Sequence, residues 1–187
     1  MQNAISLKPL VDIKDVNDKI VLEIRYATEN NFTKKNIYKT DICYIHEDVA
    51  ISLNKVQKHL EKQNLGLKIF DGYRPIWAQQ ILFDVLPDER YVGNPKKITR
   101  HTRGTAIDVT LINLVDETEL AMPTEFDSFE KKAHLDFEDL SDEIKQNRKL
   151  LQDVMINIGG FELLPNEWWH FDFKNWQNYP VLKIELR

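Results

Sequence analysis

Cysteine is almost missing: among 187 residues only Cys43 carries a thiol. A lone thiol excludes an internal disulfide and any zinc site built from four thiolates. Glycine and proline are few, six and seven, and they are scattered as punctuation between elements; there is no low-complexity linker and no internal repeat. No stretch approaches the roughly 18 uninterrupted apolar residues that a bilayer span requires. Met1–Leu10 lacks a basic stretch followed by an apolar one, so a secretory signal is not visible. Basic residues are outnumbered, 25 against 30 acidic, for a net charge of −5. That balance argues against a general nucleic-acid binder, whose phosphate partner needs a basic field, and against an anionic membrane surface. One thiol and no visible signal lead us to expect a reducing, cytoplasmic setting.

What is present is an ordinary globular balance, with 42% hydrophobic, 29% charged and 10% aromatic residues. The length suits one domain over residues 1–187 with a core sufficient for stability. Residues 20–26 are β-rich and predict a strand. Val49, Leu53, Val56 and Leu60 recur at helical spacing and predict an amphipathic helix over about 48–63. Leu67–Phe70 predicts a short strand stopped by Asp71-Gly72, after which Pro75 opens a helix from Ile76 to about Asp84. Residues 86–100 read as a surface loop, Gly104 to about Ile112 as a strand, and 114–140 as acidic and irregular. Ser141 is the expected N-cap of a helix that buries Leu151, Val154, Met155 and Ile158 and ends at Gly159-Gly160; two or three short aromatic strands follow. Strands and helices do not alternate regularly. The expected class is therefore α+β, a mainly antiparallel sheet flanked by helices.

Five histidines limit the search for chemistry. His59 reads as part of a solvated helix face, and His46 and His134 as members of charged loops. His101 opens a segment that reaches Asp108 inside an apolar strand, between Ile107 and Val109. A carboxylate there is costly to bury unless it is paired or binds a metal. On that pair alone, a loop histidine and a solvent-facing aspartate is the stronger reading. His170 lies in Glu167-Trp168-Trp169-His170-Phe171-Asp172-Phe173, where either an aromatic β core or a functional site explains it. A catalytic zinc needs three protein ligands, an open position and a nearby carboxylate base. His101, Asp108 and His170 supply the ligands, and Glu167 supplies the base. Arg74, in Asp71-Gly72-Tyr73-Arg74-Pro75, either stabilises an oxyanion from a rigid corner or forms a surface ion pair with Asp71.

Taken together, the motifs resemble the D-alanyl-D-alanine dipeptidase family of zinc peptidases, which includes the vancomycin-resistance dipeptidases. Arg25–Phe32 is similar to R/K-Y-A-T-x-x-N-F, and Asp71–Pro75 to D-G-Y-R-P. His101–Asp108 is similar to the zinc motif H-x-x-G-x-A-x-D, Met122–Asp127 to M-G-T-x-F-D, and Glu167–His170 to E-W-W-H. These five motifs keep the family's order from residue 25 to residue 170.

The resemblance implies a zinc D,D-peptidase/hedgehog-like fold and one Zn2+ per chain, held by His101, Asp108 and His170. It also implies Glu167 as general base and Arg74 as the group that steadies the transition state. Asp127, with the Tyr26 hydroxyl, would hold the free ammonium of a small dipeptide, and a carboxylate used in this way rejects longer chains. The implied substrate, D-alanyl-D-alanine, belongs to peptidoglycan chemistry. Two departures stand out: Pro123 replaces the usual glycine, and Thr99-Arg100 replaces serines; Arg100 either contacts a substrate carboxylate or points to solvent, and solvent is the expected outcome. The rival readings are a carboxypeptidase or endopeptidase of peptidoglycan stem peptides, and a non-enzymatic zinc-binding module of the same fold.

Overall fold

The computed structural model describes residues 9–97 and 99–186. The reading of the extreme N-terminus rests largely on Met1–Lys8, which lie outside the described residues. The chain runs β1 (Leu10–Asp12), α1 (Ile13–Val16), β2 (Val21–Leu22), β3 (Tyr44–His46), α2 (Glu47–Leu60), β4 (Leu65–Asp71), α3 (Ile76–Val85), β5 (Ala106–Asn113), α4 (Asp142–Asn157), β6 (Phe161–Leu164) and β7 (Glu167–Phe173). Five strands form one sheet in the order β2-β4-β5-β7-β6; β2 and β4 are parallel and every other pair is antiparallel. β1 and β3 pair antiparallel as a separate ribbon. The α+β class with a mainly antiparallel sheet is what the sequence led us to expect. Among the described residues, no helix is long and apolar enough to cross a membrane.

β5 shows how the sheet places its chemistry. Its side chains alternate between the two faces. Ile107, Val109 and Leu111 are fully buried in the main apolar cluster, which leaves Asp108 and Thr110 on the opposite face. α2 contributes Val49, Leu53, Val56 and Leu60 to the same cluster, and α4 adds Leu151, Val154 and Met155. Ser141 caps α4 as expected, its hydroxyl accepting from the Ile144 amide, and Asp142 and Glu143 sit favourably in the first turn.

Two departures have local causes. The strand expected over 20–26 is reduced to Val21–Leu22, and Arg25–Ala27 forms a 3₁₀ turn instead. Asn31, which is buried, donates to the carbonyls of Arg25, Thr28 and Lys35 and so fastens this segment as a loop. Two aromatic strands, β6 and β7, follow α4 as expected; past them the chain makes a 3₁₀ turn at Trp176–Asn178, and the Tyr73 hydroxyl donates to the Ile184 carbonyl at 2.9 Å. His46 is not in a charged loop. It is 8% exposed, and its Nδ1 accepts from the Asp48 amide at the start of α2.

Candidate metal and peptidase site

The site is built where β4, β5 and β7 lie side by side. Asp108 and His170 are direct partners across the β5–β7 pair, so their side chains meet on one face. His101 comes from the 3₁₀ turn His101–Arg103 before β5. The turn closes at Gly104, whose φ of +69° and tight fit against Leu10 and the His46 amide exclude a side chain. Gly72 has no room for one either: a Cβ there would lie 2.7 Å from Cys43 Sγ. That close approach presents the Gly72 carbonyl to His101 Nδ1 at 2.7 Å.

Hydrogen-bonding chemistry settles which histidine nitrogens face inward. A carbonyl only accepts, so His101 Nδ1 carries the proton and Nε2 presents a lone pair. His170 Nε2 donates to Asp172 Oδ1 at 2.9 Å, which directs Nδ1 at the same point. His170 Nδ1 lies 3.0 Å from Asp108 Oδ1 and 3.3 Å from His101 Nε2, and His101 Nε2 lies 3.5 Å from Asp108 Oδ2. One ligand atom from each of the three buried residues falls within 4.8 Å of the others. Two imidazoles and a carboxylate match the ligand types and the number expected of a catalytic zinc, and each histidine is anchored through its other nitrogen.

The electrostatics also call for a cation. Burial disfavours a charged imidazole at His170, but the Asp172 and Asp108 carboxylates outweigh it and hold the pKa well above the ordinary value. Asp108 is costly to ionise by burial, yet His101 and His170 draw its carboxyl below the usual range. A proton on His170 therefore occupies a position that a metal ion would take over.

Glu167 begins β7, and its Oε2 lies 3.9 Å from His170 Nδ1. An odd spacing of three would normally put the two on opposite faces, but the β6–β7 register shifts between Leu163 and Leu164, and this bulge turns Glu167 to the same side. Burial pushes its carboxyl up to about 8. Arg74 is buried and pinned: it donates from Nε to Asp71 Oδ2 at 2.8 Å and from Nη1 to Gln79 Oε1 at 3.1 Å. Its Nη2 is 3.6 Å from Asp108 Oδ2, and the guanidinium lies 5.0 Å from the Tyr26 ring centre. The ion pair with Asp71 does form, but inside the site and not at the surface.

The Tyr26 hydroxyl donates to Asp127 Oδ1 at 3.0 Å. Asp127 Oδ2 is sealed from solvent without a hydrogen-bond partner among the described residues, and burial pushes the carboxyl up to about 7. Asp127 adopts φ +61°, a left-handed conformation that aspartate tolerates better than most residues. Pro123 does not displace this loop from the site. Trp168 Nε1 donates to Thr124 Oγ1 at 3.0 Å, and Phe126 packs against Phe70 and Trp169. A cavity of about 100 Å³ is lined by Tyr26, Arg74, Asp127, Glu167 and the three candidate ligands.

All seven candidate residues thus come together. Sequence reasoning missed the residues that hold them. Asp172 lies two residues beyond His170 and so on the same strand face, which is a signal that was available. Gln79 and Tyr38, which donates to Asp71 Oδ1 at 3.0 Å, gave no such signal. Arg100, expected in solvent, keeps 39% of its side chain exposed and also lines the cavity, with Nε 3.1 Å from Asp172 Oδ2 and its guanidinium 4.8 Å from the Trp176 ring centre.

The chain is similar to known proteins over most of its length. A protein-family model described as D-ala-D-ala dipeptidase matches residues 6–181. A D-alanyl-D-alanine dipeptidase of Escherichia coli (strain K12) is 34% identical over 177 residues, covering 92% of this chain and 89% of that protein. One from Enterococcus faecalis (strain ATCC 700802 / V583) is 31% identical over 170 residues, covering 80% and 83%. A solved vancomycin-resistance D,D-pentapeptidase in complex with Zn(II) aligns with TM-score 0.40 and 14% identity, covering 72% of this chain and 75% of that one.

Proposed function

The chain belongs to the D-ala-D-ala dipeptidase family, and from that membership we propose that it is a zinc-dependent dipeptidase which hydrolyses D-alanyl-D-alanine, or a close D,D-dipeptide, to free amino acids. The observation that carries this reading is the convergence of His101 Nε2, His170 Nδ1 and the Asp108 carboxylate beside two buried carboxyls, Glu167 and Asp127. His101, Asp108 and His170 would hold one Zn2+. When bound, such an ion polarises a carbonyl and lowers the pKa of a water.

The chain's own groups do the remainder. Glu167 takes the proton of the attacking water and passes it to the leaving amine; its high proton affinity suits a group that must first accept and then release a proton. Arg74, fixed by Asp71 and Gln79, places positive charge where the carbonyl oxygen becomes negative, and needs little reorganisation to do so. Asp127 and Tyr26 receive the substrate ammonium and thereby exclude chains extended at that end. The small cavity suits a dipeptide better than a peptidoglycan strand.

The same proposal takes residues 1–187 as one catalytic domain, supported by a main apolar cluster that runs from Ile13 to Phe171. It places the protein in the cytoplasm, where the buried free thiol of Cys43 stays reduced. The partner is a small dipeptide, with no nucleic acid or membrane involved. The test is release of D-alanine by the purified, zinc-loaded protein. D-alanyl-D-alanine should be cleaved and L-alanyl-L-alanine spared, with activity removed by a chelator and restored by zinc. Failure to release D-alanine in the presence of zinc would overturn the proposal.

A further inference from the structure

A dipeptide carries two charges, and the geometry so far accounts only for the ammonium. Its carboxylate, on entering a small buried cavity, needs a cation to replace its water. Three arginines line that cavity: Arg74, Arg90 and Arg100. Arg74 is already engaged by Asp71, Gln79 and Asp108. Arg90 has a side chain 72% exposed and is tied to Asp88, so its charge is spent largely in water.

Arg100 differs from both. Its backbone is fixed, because its carbonyl accepts from the Arg103 amide at 3.0 Å, the Thr105 amide at 3.2 Å and the Thr105 hydroxyl at 3.1 Å. Its guanidinium lies against the Trp176 ring, with Nε turned to Asp172. A guanidinium attracted to an indole ring in this way still has N–H groups to offer elsewhere. Neither Nη makes a hydrogen bond to a side chain or backbone among the described residues, and Nε, although near Asp172, is not aligned for one.

We propose that Arg100 is a substrate-binding residue that receives the dipeptide's C-terminal carboxylate through its free Nη edge. The assignment rests on the dipeptidase reading above and specifies which end of the substrate lies towards Trp176. It also gives Asp172 two tasks, fixing His170 on one side and orienting Arg100 on the other.

The experiment compares D-alanyl-D-alanine with its C-terminal amide, which has the same shape and ammonium but no negative charge. Both are assayed with the wild-type protein, Arg100→Gln and Arg100→Lys. The wild-type protein should prefer the free acid by about 10- to 100-fold in kcat/KM, the range of one charge-assisted contact. Arg100→Gln should lose most of that preference, chiefly through a higher KM for the acid, and should change little towards the amide. Arg100→Lys keeps the charge without the planar fork and should retain part of the preference. It also serves as the test if the glutamine variant does not fold. Equal losses on both substrates in Arg100→Gln would overturn the assignment and make Arg100 a positioning residue for His170. So would an unchanged preference in both variants. No hydrolysis of either substrate by the wild-type protein would overturn the dipeptidase reading and this assignment with it, a result distinct from the other two.

Discussion

Acetylating the substrate's amino group isolates the contribution of Asp127. The carboxyl is moved from 3.8 to about 7, chiefly by burial. At about 1.4 kcal/mol per pH unit, that displacement amounts to about 4 kcal/mol of disfavoured ionisation. An ammonium seated against the unpartnered Oδ2 recovers most of it, less its own dehydration, leaving about 3 kcal/mol or roughly 10²-fold in kcat/KM. N-acetyl-D-alanyl-D-alanine brings bulk and no charge to the same place and should be slower by at least that factor. The pH dependence follows with a definite sign. Only the carboxylate form binds the ammonium, so kcat/KM for the free dipeptide should fall about tenfold per unit as pH drops below about 7. It should fall again as the substrate amine loses its proton near ~8. Asp127→Asn still accepts from Tyr26 but cannot ionise, so it should abolish the acid limb due to this group and narrow the gap between the two substrates. The assay is D-alanine release from both substrates across pH 5–9 on matched, zinc-loaded proteins. Equal kcat/KM for the free and acetylated dipeptides in the unmutated protein would refute the reasoning and favour a carboxypeptidase.

Other outcomes follow from the same geometry. His101→Ala, Asp108→Ala and His170→Ala should each lose most bound zinc, since each removes one of three converging ligands, while His59→Ala, on the α2 surface, should keep it; elemental analysis decides. Glu167→Gln should retain zinc yet lose turnover by a factor of about 10² or more, and full turnover would show that another group moves the proton. Arg74→Lys cannot satisfy Asp71 and Gln79 together, so kcat should fall more than KM rises; a change confined to KM would make Arg74 a ground-state anchor. Gly104→Ala should cost on the order of 1–3 kcal/mol in a denaturation series, because the residue adopts φ +69° and a Cβ would lie 2.8 Å from Leu10. It should also weaken zinc binding by shifting the turn that carries His101.

Periodicity and capping chemistry are local properties, and the sequence revealed them directly. The stripe Val49, Leu53, Val56 and Leu60 is the buried face of α2, and Ser141 is the cap of α4. The ligands and the base were legible for a different reason: an aspartate inside an apolar strand, and an acid and an imidazole inside an aromatic one, are costly arrangements that demand an explanation. Long-range geometry decided the rest. Only the pairing of β5 with β7 puts Asp108 opposite His170, and only the bulge in the β6–β7 ladder turns Glu167 to the same face. The sequence showed Asp71 next to Arg74 but not that their ion pair is buried beneath Tyr26. It showed Arg100 as a charged residue expected in water, because the partners that hold it, Asp172 and Trp176, lie more than seventy residues away along the chain. Contacts over that distance are fixed by the packing of the whole sheet, and no local pattern encodes them.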